Sequence, residues 1–142
     1  MTLLLLALTA CETPTCGAGV SGPVLRVFRS QNQPLWLAPE PGSYKTIGDA
    51  LSHAPPGATV CVAPGTWYEQ LVLDTDDVSL VGAGADQTVI TLPRHWTPDT
   101  DGAGIVALAA ADLVLQDLTI EGGDVGLSVR PHSAAELLGV TV

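Results

Sequence analysis

A chain of 142 residues is long enough for one ordinary domain and too short for two of typical size. Its 15 acidic against 5 basic residues give a net charge of −10, which removes the attraction that nucleic acid or an anionic membrane surface would require. Aromatic residues are scarce, while 15 Gly and 11 Pro punctuate short runs of Val, Leu and Ala, a composition suited to brief layered strands with many turns.

Residues 1–11, MTLLLLALTAC, form an apolar run too short to span a bilayer as a mature helix, and they read as a secretory signal. Leu8-Thr9-Ala10-Cys11 resembles a bacterial lipobox, although no Lys or Arg precedes the run. The resemblance implies that Cys11 is lipidated and becomes the mature N-terminus. Glu12 in place of Asp after it implies an outer-membrane or cell-surface position. An ordinary signal peptide containing a Cys is the alternative. Residues 12–34 carry Pro14, Gly17, Gly19, Gly22, Pro23 and Pro34 without a sustained period and read as a tether, with Leu25-Arg26-Val27-Phe28 an isolated strand at most. Cys16 and Cys61 can pair in an exported protein, or Cys61 can serve as a small filler; the sequence leaves both open. No Cys/His spacing suggests zinc.

The expected domain covers residues 35–142. Leu35-Trp36-Leu37 has the pattern of a first strand, stopped by Pro39 and Pro41. Thr46-Ile47-Gly48-Asp49 fits a helix-capping pattern, and Ile47, Ala50, Leu51 and Ala54 fall on one helical face before Pro55-Pro56-Gly57 ends it. So short a helix has no independent stability and must lie on something apolar. His53, beside that stripe, is expected to be a capping or surface residue. Strands are then predicted over Thr59–Ala63, Gln70–Leu73, Val78–Val81 and Thr88–Leu92, with no Asn-Gly hairpin signal between them.

An internal echo follows. Gly104-Ile105-Val106-Ala107 matches Gly126-Leu127-Ser128-Val129, and Leu118-Thr119-Ile120 matches Val140-Thr141-Val142, each pair 22 positions apart. A period near this length with strand composition indicates a solenoid. The Leu-x-x-Leu-x-Leu-x-x-Asn signature of leucine-rich repeats is missing, which leaves a parallel β-helix of about three to four coils.

The segments Tyr44-Lys45-Thr46-Ile47, Ala54-Pro55-Pro56-Gly57-Ala58-Thr59-Val60, Ala63-Pro64-Gly65-Thr66-Trp67-Tyr68-Glu69 and Leu80-Val81-Gly82-Ala83-Gly84 resemble the N-terminal part of pectin-lyase-like right-handed β-helix proteins, and their order is similar to that in pectinesterases and β-helix-repeat bacterial surface proteins. The resemblance covers about residues 35–142. It implies an all-β, right-handed parallel β-helix whose short N-terminal helix caps the open first coil. It also implies a polysaccharide ligand. It transfers no catalytic residue: Gly123 stands where the pectinesterase Gln would precede a strand, here Asp124 to Val129, and the coils carrying the Asp pair and the Arg are not in this sequence.

Two local constellations remain. Comparison of Val78 and Leu80 with Leu113 and Leu115 gives a spacing of 35, so about 13 residues beyond the 22-residue repeat are expected as an insertion over Thr91–Gly102. Within it Trp96 can stack on a sugar ring, and Arg94, His95, Asp99 and Asp101 can hydrogen-bond hydroxyls or a carboxylate; a plain surface loop is the alternative. The other is Asp74, Asp76 and Asp77, whose oxygens suit calcium but whose side chains also favour turns unaided; otherwise no metal or cofactor is expected. The sequence reaches Val142 in strand pattern without a polar cap, which predicts further coils or self-association through an open coil. The functions expected are polysaccharide binding or processing by a lipid-anchored β-helix or, as the alternative, a non-catalytic structural or adhesive surface module.

Overall fold

The computed structural model describes residues 16, 20–28, 42–91, 105–122 and 125–142. Along the chain run β1 (Val24–Val27), β2 (Ser43–Tyr44), α1 (Ile47–His53), β3 (Thr59–Val62), β4 (Gly65–Tyr68), β5 (Leu71–Leu73), β6 (Ser79–Val81), β7 (Thr88–Thr91), β8 (Val106–Leu108), β9 (Leu113–Glu121), β10 (Leu127–Val129) and β11 (Ala135–Thr141). Their ladders are parallel throughout, and strands pair with the coil before and the coil after. This is a parallel β-helix.

Each coil turns through three faces. The first stacks β1, β3, β6 and the first half of β9; the second stacks β4, β7 and the second half of β9; the third stacks β5, β8 and β10. β11 continues both halves of β9. Because side chains alternate along a strand, every second residue enters the core. Leu25, Val60, Leu80 and Leu115 make one inward row, Trp67, Ile90 and Ile120 a second, and Leu73 and Leu108 a third. Leu71, Leu73, Val106 and Leu108 on the third face are almost wholly buried, so the interior is largely aliphatic with Trp67 its largest filler. The indole Nε1–H of Trp67 donates to the Ala63 carbonyl at 3.1 Å, which satisfies its one buried polar atom.

The corners explain the acidic turn. Gly57, Asp77 and Asp112 each take a left-handed conformation one residue before the inward position that opens the next strand. Gly57 N–H donates to the Asp77 carbonyl at 2.8 Å and Asp77 N–H to the Ala111 carbonyl at 3.1 Å, so the corners stack as the strands do. Asp is among the few residues that enter this conformation readily. Asp76 Oδ1 accepts the Ala111 N–H at 2.8 Å. Asp76 and Asp77 thus shape the corner, and among the described residues no group of three or more potential ligands gathers for a metal.

α1 sits where the sequence placed it. Thr46 Oγ1 accepts the Asp49 N–H at 3.2 Å, and Ile47, Ala50 and Leu51 are buried against β1, β2, β3 and β5. Glu69 supplies what the local pattern lacks: its carboxylate accepts the Ile47 N–H at 2.9 Å and the Gly48 N–H at 3.1 Å. Two of the helix's orphan donors are thus met from the end of β4, with a negative charge at the positive end of the helix. His53 is exposed on the last turn, its Nδ1 2.8 Å from the Asp49 carbonyl oxygen.

Four expectations need correction. The segment Leu25–Phe28, expected as an isolated strand, holds most of β1, which is paired to β2 and to β3. β4, hidden in the Pro-Gly punctuated APGTWYE run, is a strand in its own right. The echo of 22 holds between β9 and β11, where Leu113 faces Ala135, but β8 pairs with β10 at 21, Val106 facing Leu127. An alignment on the two Gly residues is one off at that rung; the ladder instead matches inward residues, and the turn before β11 is one residue longer than the turn before β9. The excess of 13 is also not one insertion. Val81 pairs with Gln116, 35 positions on, but Val89 with Thr119, only 30 on, so five of the extra residues lie in the turn between β6 and β7. The predicted strand at Leu35–Leu37 lies outside the described residues.

Candidate functional site

The sequence-predicted ligand residues Arg94, His95, Trp96, Asp99 and Asp101 lie outside the described residues, as does Cys11. The frame that carries them is described. The segment leaves the end of β7 at Thr91 and returns at Ile105, before β8. Thr91 stands in register between Tyr68 on β4 and Glu121 on β9, all three on the outward row of the second face. Tyr68 and Glu121 are exposed. Around the corner lies the outer row of the third face, Val72, Ala107 and Ser128. An exposed phenol, a hydroxyl and a carboxylate in one row at the root of the insertion form a surface that can stack on and hydrogen-bond a sugar. Sequence reasoning missed Tyr68 and Glu121; the signal was the alternation in Thr66 to Tyr68 and Thr119 to Glu121, masked by the Pro-Gly before one and the Gly-Gly after the other.

A second concavity, about 470 Å³, lies on the outer side of the first face. Its floor is two outward rows: Thr59, Ser79 and Val114, and Arg26, Cys61, Val81 and Gln116. Arg26 is exposed; Thr59 is buried. At one end Asp117 takes the left-handed conformation that bends β9 between its two faces, and its carboxylate accepts a hydrogen bond from Gln116 Nε2 at 3.2 Å. Gly139 repeats the bend on β11. Cys16 and Val20 also line it, Cys16 being held there by its disulfide to Cys61. The pairing left open by the sequence is thus present. The sequence does not reveal this groove, because Arg26 falls in a segment that reads as a tether and only the strand register aligns it with Gln116.

The turn between β6 and β7 connects these places. Buried Thr88 accepts the Ala83 N–H at 2.9 Å and directs its hydroxyl at the Ala63 carbonyl, 3.3 Å away. Thr119 Oγ1 donates to the Ala85 carbonyl. Gly82 passes against β9: a Cβ there would lie 2.3 Å from the Asp117 carbonyl oxygen.

No protein-family model matches the chain, and no curated protein matches it by sequence. Solved structures do match by fold. A pectin methylesterase in complex with hexasaccharide VII superposes with a TM-score of 0.62 at 21% identity, covering 82% of this chain and 42% of that one. A mutant pectin methylesterase in complex with hexasaccharide IV gives 0.63, with the same identity and coverage. Pectin methylesterase PemA from Erwinia chrysanthemi gives 0.61 at 21% identity, over 84% of this chain and 42% of that one. The chain therefore has the pectin-lyase-like, right-handed parallel β-helix fold, and it spans about two fifths of the length of the structures it matches.

Proposed function

We propose that the chain is the N-terminal part of an exported, lipid-anchored β-helix protein that binds or processes polysaccharide. The observation that carries this reading is the likeness of its coils to pectin methylesterases, two of them in complex with hexasaccharides. The row Tyr68, Thr91 and Glu121 at the root of the insertion, exposed at Tyr68 and Glu121, supports it, since it offers a ring and polar groups to a saccharide. Trp96 and Asp99 are the sequence's candidates for contacts of the same kind. Cys11 would anchor the protein, leaving the solenoid outside the membrane. A glycan array probed with the purified mature protein tests the proposal. Binding to an acidic or neutral polysaccharide that weakens in Trp96→Ala and Asp99→Ala supports it, and silence across the array sinks it.

A second reading, a non-catalytic structural or adhesive module, is favoured by one specific feature. Val129, Leu137 and Leu138 on the last described coil are exposed, an apolar surface suited to another coil or another chain. A module of that kind keeps its partner binding when Trp96 and Asp99 are replaced.

A further inference from the structure

We propose that the Cys16–Cys61 disulfide is a strap that holds the first coils of the solenoid close against the lipid surface. The proposal rests on the reading of Cys11 as the lipidated residue. Cys61 lies on β3, in the middle of the ladder between β1 and β6, and is 7% exposed. The bond to Cys16 therefore ends on a rigid element, and it closes 45 positions of chain. The length of free chain follows. From Cys11 to Cys16 there are five residue steps, a reach of at most about 18 Å; from Cys11 to Pro23, whose carbonyl accepts the Thr59 N–H, there are twelve, at most about 43 Å. The disulfide thus leaves only residues 12–15 between the lipidated Cys and the body of the protein.

The strap also orients the body. Cys61 belongs to the outward row with Arg26, Val81 and Gln116, so the chain departs from the face that carries the 470 Å³ groove. That face is the one turned towards the bilayer. The outward row Tyr68, Thr91 and Glu121 lies on a different face and is left open to the medium. A covalent strap is needed because electrostatics work the other way: a chain of net charge −10 gains nothing from anionic headgroups.

The test uses the full lipidated protein in liposomes, with a donor dye on the exposed Lys45, the chain's single lysine, and an acceptor on the lipid headgroups. Energy transfer is expected to fall about twofold or more when the disulfide is absent in Cys16→Ser/Cys61→Ser, as the leash lengthens. A second variant keeps the disulfide and inserts about twelve Gly-Ser residues between Cys11 and Cys16, which lengthens the leash without touching the fold, and the same fall is expected. Equal transfer in all three proteins overturns the strap, as does finding free thiols at Cys16 and Cys61 in the exported protein. Mass analysis of the mature N-terminal peptide separates the two ideas. An unmodified N-terminus removes the anchor reading and the strap together, whereas a diacylated Cys11 with unchanged transfer removes the strap alone.

Discussion

Leu115 on β9 and Leu137 on β11 are register partners on the same inward row, yet Leu115 is wholly buried and Leu137 is 44% exposed. The third face repeats the contrast: Leu108 on β8 is buried, and its partner Val129 on β10 is 59% exposed. Direction is identical within each pair; what differs is the number of neighbouring coils. The opposite end of the solenoid is closed, because α1 lays Ile47, Ala50 and Leu51 across the first coils. In a β-helix, facing inward does not by itself bury a side chain. Burial needs a layer on both sides, which is why stability in such folds is a sum over interfaces between repeats.

The contrast is broken most severely at its buried member. Leu115→Ala should cost about 3–4 kcal/mol, measured as a shift in the denaturant midpoint, because both flanking layers are fixed and the site cannot collapse. A loss under about 1 kcal/mol would mean that the stacked rows are not a close-packed core. Gly82→Ala comes next, at about 2–3 kcal/mol. Its added Cβ meets the Asp117 carbonyl oxygen at 2.3 Å and Thr88 Cβ at 2.9 Å, so either β9 or the turn before β7 has to move. If this variant melts with the parent, the two coils are not in the contact described.

Most strands were legible in the sequence because they rest on a local rule, short Val- and Leu-rich runs between turn residues, with β4 the exception. The helix was legible for the same reason, through Thr46 and the stripe Ile47, Ala50, Leu51. What escaped depends on which residue faces which. The rung of β8 and β10 is one residue off the sequence echo, and only the ladder reveals it. Arg26 and Gln116 are 90 positions apart and share an outward row through two intermediate residues, Cys61 and Val81. Glu69 could be seen as part of a motif, but its role as a helix cap depends on β4 ending beside the first turn of α1. The expected binding residues Arg94 to Asp101 lie outside the described residues, so their frame at Tyr68, Thr91 and Glu121 is what the structure adds.

The closed end offers a smaller effect. Glu69→Ala removes the acceptor of two backbone N–H groups and should cost about 1–2 kcal/mol, read as lowered thermal stability. Glu69→Gln should recover part of it, since the amide oxygen still accepts one N–H while its NH₂ faces the other. Equal loss in both variants would show that the negative charge at the helix N-terminus dominates over the hydrogen-bond count.

The smallest effect belongs to Leu137→Ala, at under about 1 kcal/mol, because a half-exposed Leu forfeits only part of its transfer energy and leaves no enclosed cavity. Paired with Leu115→Ala, the substitution holds residue type, inward direction and register constant and varies only the flanking layers. The comparison is sharpened by concentration. If another copy or a further coil stacks on β11, Leu137 becomes an interior residue, and its substitution should then approach the cost of Leu115→Ala as protein concentration rises or as the chain is extended. Sedimentation of both variants over a range of concentrations reads this directly. A Leu137→Ala penalty that is large and independent of concentration in this chain would mean that β11 is already covered, and the difference between the two ends would vanish.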